Sequence, residues 1–203
     1  MRTRHGSHWH ETYKAAELKP YLRVAANWLH HNRETASVAA ACRSVEYLLA
    51  FAGQVDPAMN LRHQPAAYKA RVAFARLRVA GIEVARIVAI YLGVSALIED
   101  DWKSHRTQEF RNVQAAKAIH RLASGTHRNW EVWSPKSEDF HPLGFHAYPR
   151  SSGHVLRKIG GELEEACGEI LKSAVPEIIR LRTEMFGEHP SHLPGQTKTR
   201  LIK

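Results

Sequence analysis

The sequence predicts an all-α protein: one globular bundle of several helices, with a long aromatic-rich loop at about 130–150 and a basic tail. Three observations carry this. Apolar residues recur at helical spacing along most of the chain, strand-like alternation is scarce, and Ala, Leu, Arg and Glu dominate the periodic segments. With 203 residues, 44% of them hydrophobic and 24% charged, the chain is long enough to bury one real core. Residues 1–187 read as a single domain, with 1–10 flexible, and 188–203 as a disordered basic tail.

Residues 11–31 predict one or two helices, with Pro20 opening the second, because proline suits a first turn. Leu22, Ala25 and Leu29 form their stripe, with Tyr21 and Trp28 alongside. Residues 34–52 predict a helix with Val38, Cys42, Val45, Leu49 and Ala52 inward, ended by Gly53. Residues 66–80 and 82–98 predict two more, separated by Gly81. The second is apolar nearly all round from Ile87 to Ile98, which suits a central core helix and is too short to span a bilayer. Residues 105–123 are helical up to Ser124-Gly125. Residues 130–150 hold Trp130, Trp133, Phe140, Phe145, Tyr148 and three prolines without a period, and predict a loop. Helices resume over 152–173 and again from Pro176 to Gly187.

Charge is unevenly spread. Residues 62–130 carry 12 Lys and Arg against five Asp and Glu, a net of +7 within a whole-chain +9. Such a local excess attracts a polyanion, and the expected partner is nucleic acid, DNA or RNA. On helix 105–123, Arg106, Phe110, Gln114, Lys117 and Arg121 fall on one face, with Arg111 beside them. Ala115, Ile119 and Leu122 fall opposite. Lys and Arg neutralise phosphates, Gln can read a base edge and an exposed Phe can stack. His127, Arg128 and Trp130 extend the face into the following loop. The competing reading is a solvated helix face that only keeps the protein soluble. On helix 66–80 the cations split between two flanks and read as snorkelling side chains.

The aromatic loop has two readings, a stacking platform for unpaired bases or a cap on the helical core that also docks a partner. Glu162, Glu164, Glu165 and Glu169 read as an exposed acidic face that docks a neighbouring protein. Together these support an alternative, a structural subunit of a larger assembly. Ala89, Gly93 and Ser95 have the spacing of a helix-turn-helix turn, but the acidic residues Glu99, Asp100 and Asp101 that follow would repel phosphate.

No phosphate-binding glycine loop, nucleophile elbow or Cys-x-x-Cys pair occurs, so a non-catalytic protein without a cofactor is expected. The 14 histidines, with His5, His8 and His10 close together and His141, His146 and His154 around the loop, raise a weaker alternative of a His-based metal-dependent hydrolase. Cys42 and Cys167 fall on apolar stripes and read as reduced core residues. The N-terminal residues contain no apolar run, so no secretory signal and no membrane association are expected, and the expected location is cytoplasmic.

Overall fold

The helix apolar on nearly every side occupies the centre, and the others are arranged by it. The computed structural model describes residues 13–52, 61, 63–104, 107–123, 126–147 and 152–193. Among these lie seven α-helices and one two-stranded sheet: α1 (Ala15–His31), α2 (Ala36–Ala52), α3 (Ala66–Val79), α4 (Val84–Asp100), α5 (Gln108–His120), β1 (Thr126–Ser134), β2 (Asp139–Ala147), α6 (Gly153–Cys167) and α7 (Leu171–Phe186). The expected all-α bundle is therefore found. Every residue of α4 from Ile87 to Ile98 is buried. It packs against α1, α2, α5 and α7, while α3 and α6 close the bundle through α2 and α5.

Two glycines set helix spacing. A Cβ on Gly93 of α4 would come within 3.0–3.3 Å of Leu22, so α1 lies close there. A Cβ on Gly160 of α6 would overlap the main chain of Asn112 on α5. Thr107 caps α5, its hydroxyl accepting from the Phe110 N–H at 3.2 Å. At the start of α1, Glu17 accepts from the Lys14 N–H at 2.9 Å, so the helix opens before Pro20.

Four expectations are corrected. Pro20 and Pro176 lie inside α1 and α7 and start neither. The carbonyls they leave without an N–H donor belong to Ala16 and Lys172, both exposed, where water can serve them. The aromatic segment is a hairpin and no loop: β1 and β2 pair antiparallel from Thr126↔Ala147 to Ser134↔Asp139. Pro142 is tolerated in β2 because a two-stranded sheet has only edge strands. The turn 135–138 includes Glu138 at φ 48°. Nor do Trp133 and Phe140 cap the core. Opposite each other, they are 50% and 56% exposed and touch edge to face at 5.2 Å, and among the described residues no helix packs extensively on the hairpin.

Nor is the whole of 188–203 a disordered tail. Residues 188–193 fold back onto the end of α4, while 194–203 lie outside the described residues, as do Gly53, Gly125 and residues 1–10. Ser191 Oγ accepts from the Trp102 N–H at 3.1 Å, and His192 Nε2 donates to the Asp100 carbonyl at 2.6 Å. Asp100 itself is buried. Its carboxylate accepts from the Tyr21 hydroxyl, and Arg182 Nη1 lies 3.8 Å away. Arg182 also donates to the Gly187 carbonyl at 2.6 Å. One buried carboxylate thus joins α1, α4, α7 and the C-terminal turn.

Candidate functional site

The predicted basic face on α5 does not exist as drawn. This helix has α4 on one side and α6 on another, so Asn112 to Ala116 are all buried. Phe110 is 4% exposed and meets Tyr13 edge to face, and Gln114 is 4% exposed. Phe110 therefore cannot stack on a base, and Gln114 keeps only a sliver of surface, on the wall of the groove described below. Arg111 is half-buried in an ion pair with Glu99 and donates to Gln108 at 3.1 Å. Arg106 lies outside the described residues. His127, Arg128 and Trp130 are on β1, opposite His146, Phe145 and Leu143, and only their backbone is described. Among the predicted residues whose side chains are described, Lys117 is half-buried and Arg121 is exposed.

Those two are brought together with cations that sequence reasoning did not single out. A groove of about 850 Å³ runs between α1, α4 and α5. Its rim carries Lys19 and Arg23 from α1, Arg33 from the turn after it, Arg86 from α4, Lys117 from α5 and Arg121 at the end of that helix. Glu83 is the one acid among the lining residues. Arg33 is partly neutralised by its neighbour Glu34 at 3.0 Å. The floor is hydrocarbon: Leu18, Leu22 and Leu29 of α1, Ile90 and Val94 of α4, and Leu122 after α5.

The pattern behind this groove is two rows, one residue apart. Leu18 and Leu22 are each followed by a cation, Lys19 and Arg23, and Leu29 by His30, so an apolar row and a polar row run side by side along α1. Lys117 and Arg121 likewise stand next to Ala118 and Leu122. The inward stripe of α1 is Tyr21, Val24, Ala25, Trp28 and Leu29; of the predicted stripe, Ala25 and Leu29 are buried and Leu22 is half-buried. Positive charge near the end of α5 is felt by His120. Its pKa lies below the ordinary value because of burial first, then the nearby cations Arg76 and Arg121.

Several polar side chains elsewhere are engaged in structure. Asn112 donates to Glu164 at 2.6 Å and accepts from Gln108 at 2.9 Å. Glu164 is therefore turned inward, a correction to the predicted acidic face, on which Glu165 and Glu169 are exposed. Burial holds Glu162 above the usual carboxylate range. Arg157 pairs with Glu109. Cys42 is half-buried on the groove wall and Cys167 is fully buried, its thiol pushed up to about 12 by burial. Both are unpaired thiols, as expected. Among the described residues, no group of three or more His, Cys, Asp or Glu side chains is placed to hold a metal ion, and no helix is long and apolar enough to cross a membrane.

The bundle and its groove define an all-α protein with a cation-rimmed apolar cleft. Comparison with protein-family models, with curated proteins and with solved structures gave no match.

Proposed function

We propose that the protein is a non-catalytic nucleic-acid-binding protein that holds the phosphate backbone on the cations around the groove. The observation behind this reading is the convergence of Lys19, Arg23, Arg86, Lys117 and Arg121, from three separate helices, on one mouth with Glu83 the acid among them. Phosphate contacts position a nucleic acid without reading its sequence. Phe110 is buried and Gln114 shows little surface on the groove wall, so binding is expected to depend mainly on phosphates and only weakly on sequence. Titration of labelled single- and double-stranded DNA and RNA tests it. Saturable binding that weakens steeply with salt supports the reading. No binding at low salt removes it.

A second reading, a subunit of a larger assembly, is favoured by Trp133 and Phe140 on the hairpin. Large aromatics left half-exposed and close together mark surfaces that a partner covers. Co-purification of a partner that is lost in a Trp133→Ser, Phe140→Ser variant supports it. Purification as a bare monomer from its native cell counts against it.

A further inference from the structure

We propose that the groove between α1, α4 and α5 binds a single-chain anionic amphiphile, with its alkyl chain on the leucine floor and its acidic headgroup among the rim cations. This goes beyond the nucleic-acid reading and does not depend on it. Phosphates account for the cations, but they leave the floor unexplained. Leu18, Leu22 and Leu122 are only half-buried and line open space. The volume, about 850 Å³, is within the range of sites that enclose small molecules.

The lining chemistry selects the occupant. A base or an extended peptide would bring many polar groups onto a lining made mostly of Leu, Ile, Val and Ala side chains, where Tyr13 and the barely exposed Gln114 are among the few uncharged polar groups, and burying polar groups unpaired is costly. A hydrocarbon chain brings none. The rim rejects a cationic headgroup and favours an anionic one, since six cations, of which Arg33 is partly neutralised by Glu34, stand against the one lining acid Glu83. Carboxylate and phosphate share this charge, and the arginines can hold either in a bidentate manner.

The test uses the full chain without nucleic acid. Dodecanoate, tetradecanoate and hexadecanoate, dodecyl phosphate, and the alcohols of matching length are titrated below their micelle concentrations, read by calorimetry. Affinity should rise up to about fourfold per added methylene until the chain fills the groove. The acids and dodecyl phosphate should bind and the alcohols bind more weakly. Ala26 lines the groove and is exposed, so Ala26→Trp should fold normally and block binding; Ala85→Trp is a second block at another exposed wall position. Ligand should also slow modification of the Cys42 thiol on the wall, while buried Cys167 stays unreactive. Affinity indifferent to chain length, or binding and Cys42 protection unchanged in both blocked variants, overturns the proposal. A protein that binds these amphiphiles but no nucleic acid retains this inference and loses the nucleic-acid reading; the reverse result does the opposite.

Discussion

Gly160 on α6 lies directly against the main chain of Asn112 on α5. A Cβ at position 160 would stand 2.6 Å from the Asn112 carbonyl carbon and 2.7 Å from its Cβ. The next residue, Gly161, is exposed and has nothing within 4 Å of that position. The contact matters to the groove because α5 carries Lys117 and Arg121, and α6 holds α5 in place.

We predict opposite outcomes for the two glycines. Gly160→Ala forces the α5–α6 crossing apart, and overpacking of this kind costs about 1–3 kcal/mol. Gly161→Ala only restricts the unfolded chain and should stabilise by up to about 1 kcal/mol. Urea unfolding of both variants checks this. Equal effects at the two sites would mean that the helices do not approach as described.

The buried Asp100 should matter more to stability than its position at a helix end suggests. Asp100→Ala leaves Arg182 buried without its carboxylate, a loss on the order of 3–5 kcal/mol. Tyr21→Phe removes one hydrogen bond to Asp100 and should cost about 1–3 kcal/mol. His192→Ala, on the half-buried C-terminal turn, should cost less than either. If His192→Ala and Asp100→Ala are equally mild, the turn does not pack on α4.

Stability should fall as pH drops from about 7 through the usual histidine range, about 6.5. Burial holds His120 and His189 below their ordinary values in the folded protein. Across that window the unfolded chain binds protons on these residues and the folded protein does not, so acid favours unfolding. Glu162, raised by burial, acts in the opposite sense nearer its own range. The His120→Gln, His189→Gln variant isolates the effect: its melting temperature should depend less on pH between 7.5 and 5.5, in steps of about half a unit. An unchanged pH profile would falsify the assignment.

Trp133→Ser with Phe140→Ser should leave the bundle as stable as before, within about 0.5 kcal/mol. Both aromatics are exposed and contact each other across the hairpin. Circular dichroism melting checks it. A large loss would mean that the hairpin closes the core after all.

The core was legible because it is written in periodicity. The unbroken apolar character of Ile87–Ile98 placed α4 at the centre, and Val38, Val45, Ile159 and Leu163 marked inward stripes. The hairpin was not legible, because Pro135 and Pro142 break its alternation and read as loop punctuation. The α5 face failed for a different reason. Periodicity reports one buried stripe, whereas α5 is packed on two sides, and small or amide residues such as Ala116, Asn112 and Gln114 serve the second. The sequence His-Pro-Ser-His reads as polar tail until Asp100 and Trp102 provide the groups that Ser191 and His192 satisfy. Of the site, Lys117 and Arg121 were visible. Lys19, Arg23 and Arg86 lie at remote positions that only the fold brings to the same groove.

The central claim is that cations from different helices act as one phosphate-binding surface. The most direct measurement is the salt dependence of affinity for duplex DNA in the Lys117→Glu, Arg121→Glu and Lys19→Glu, Arg23→Glu variants, each confirmed as folded. Each pair should weaken binding to all sequences alike and flatten the log–log salt slope by about 1.8, the loss of two phosphate contacts. The control Lys172→Glu on α7, away from the groove, should leave the slope unchanged. If the α5 pair flattens the slope but the α1 pair does not, or if neither pair differs from the control, the groove rim is not a phosphate-binding surface.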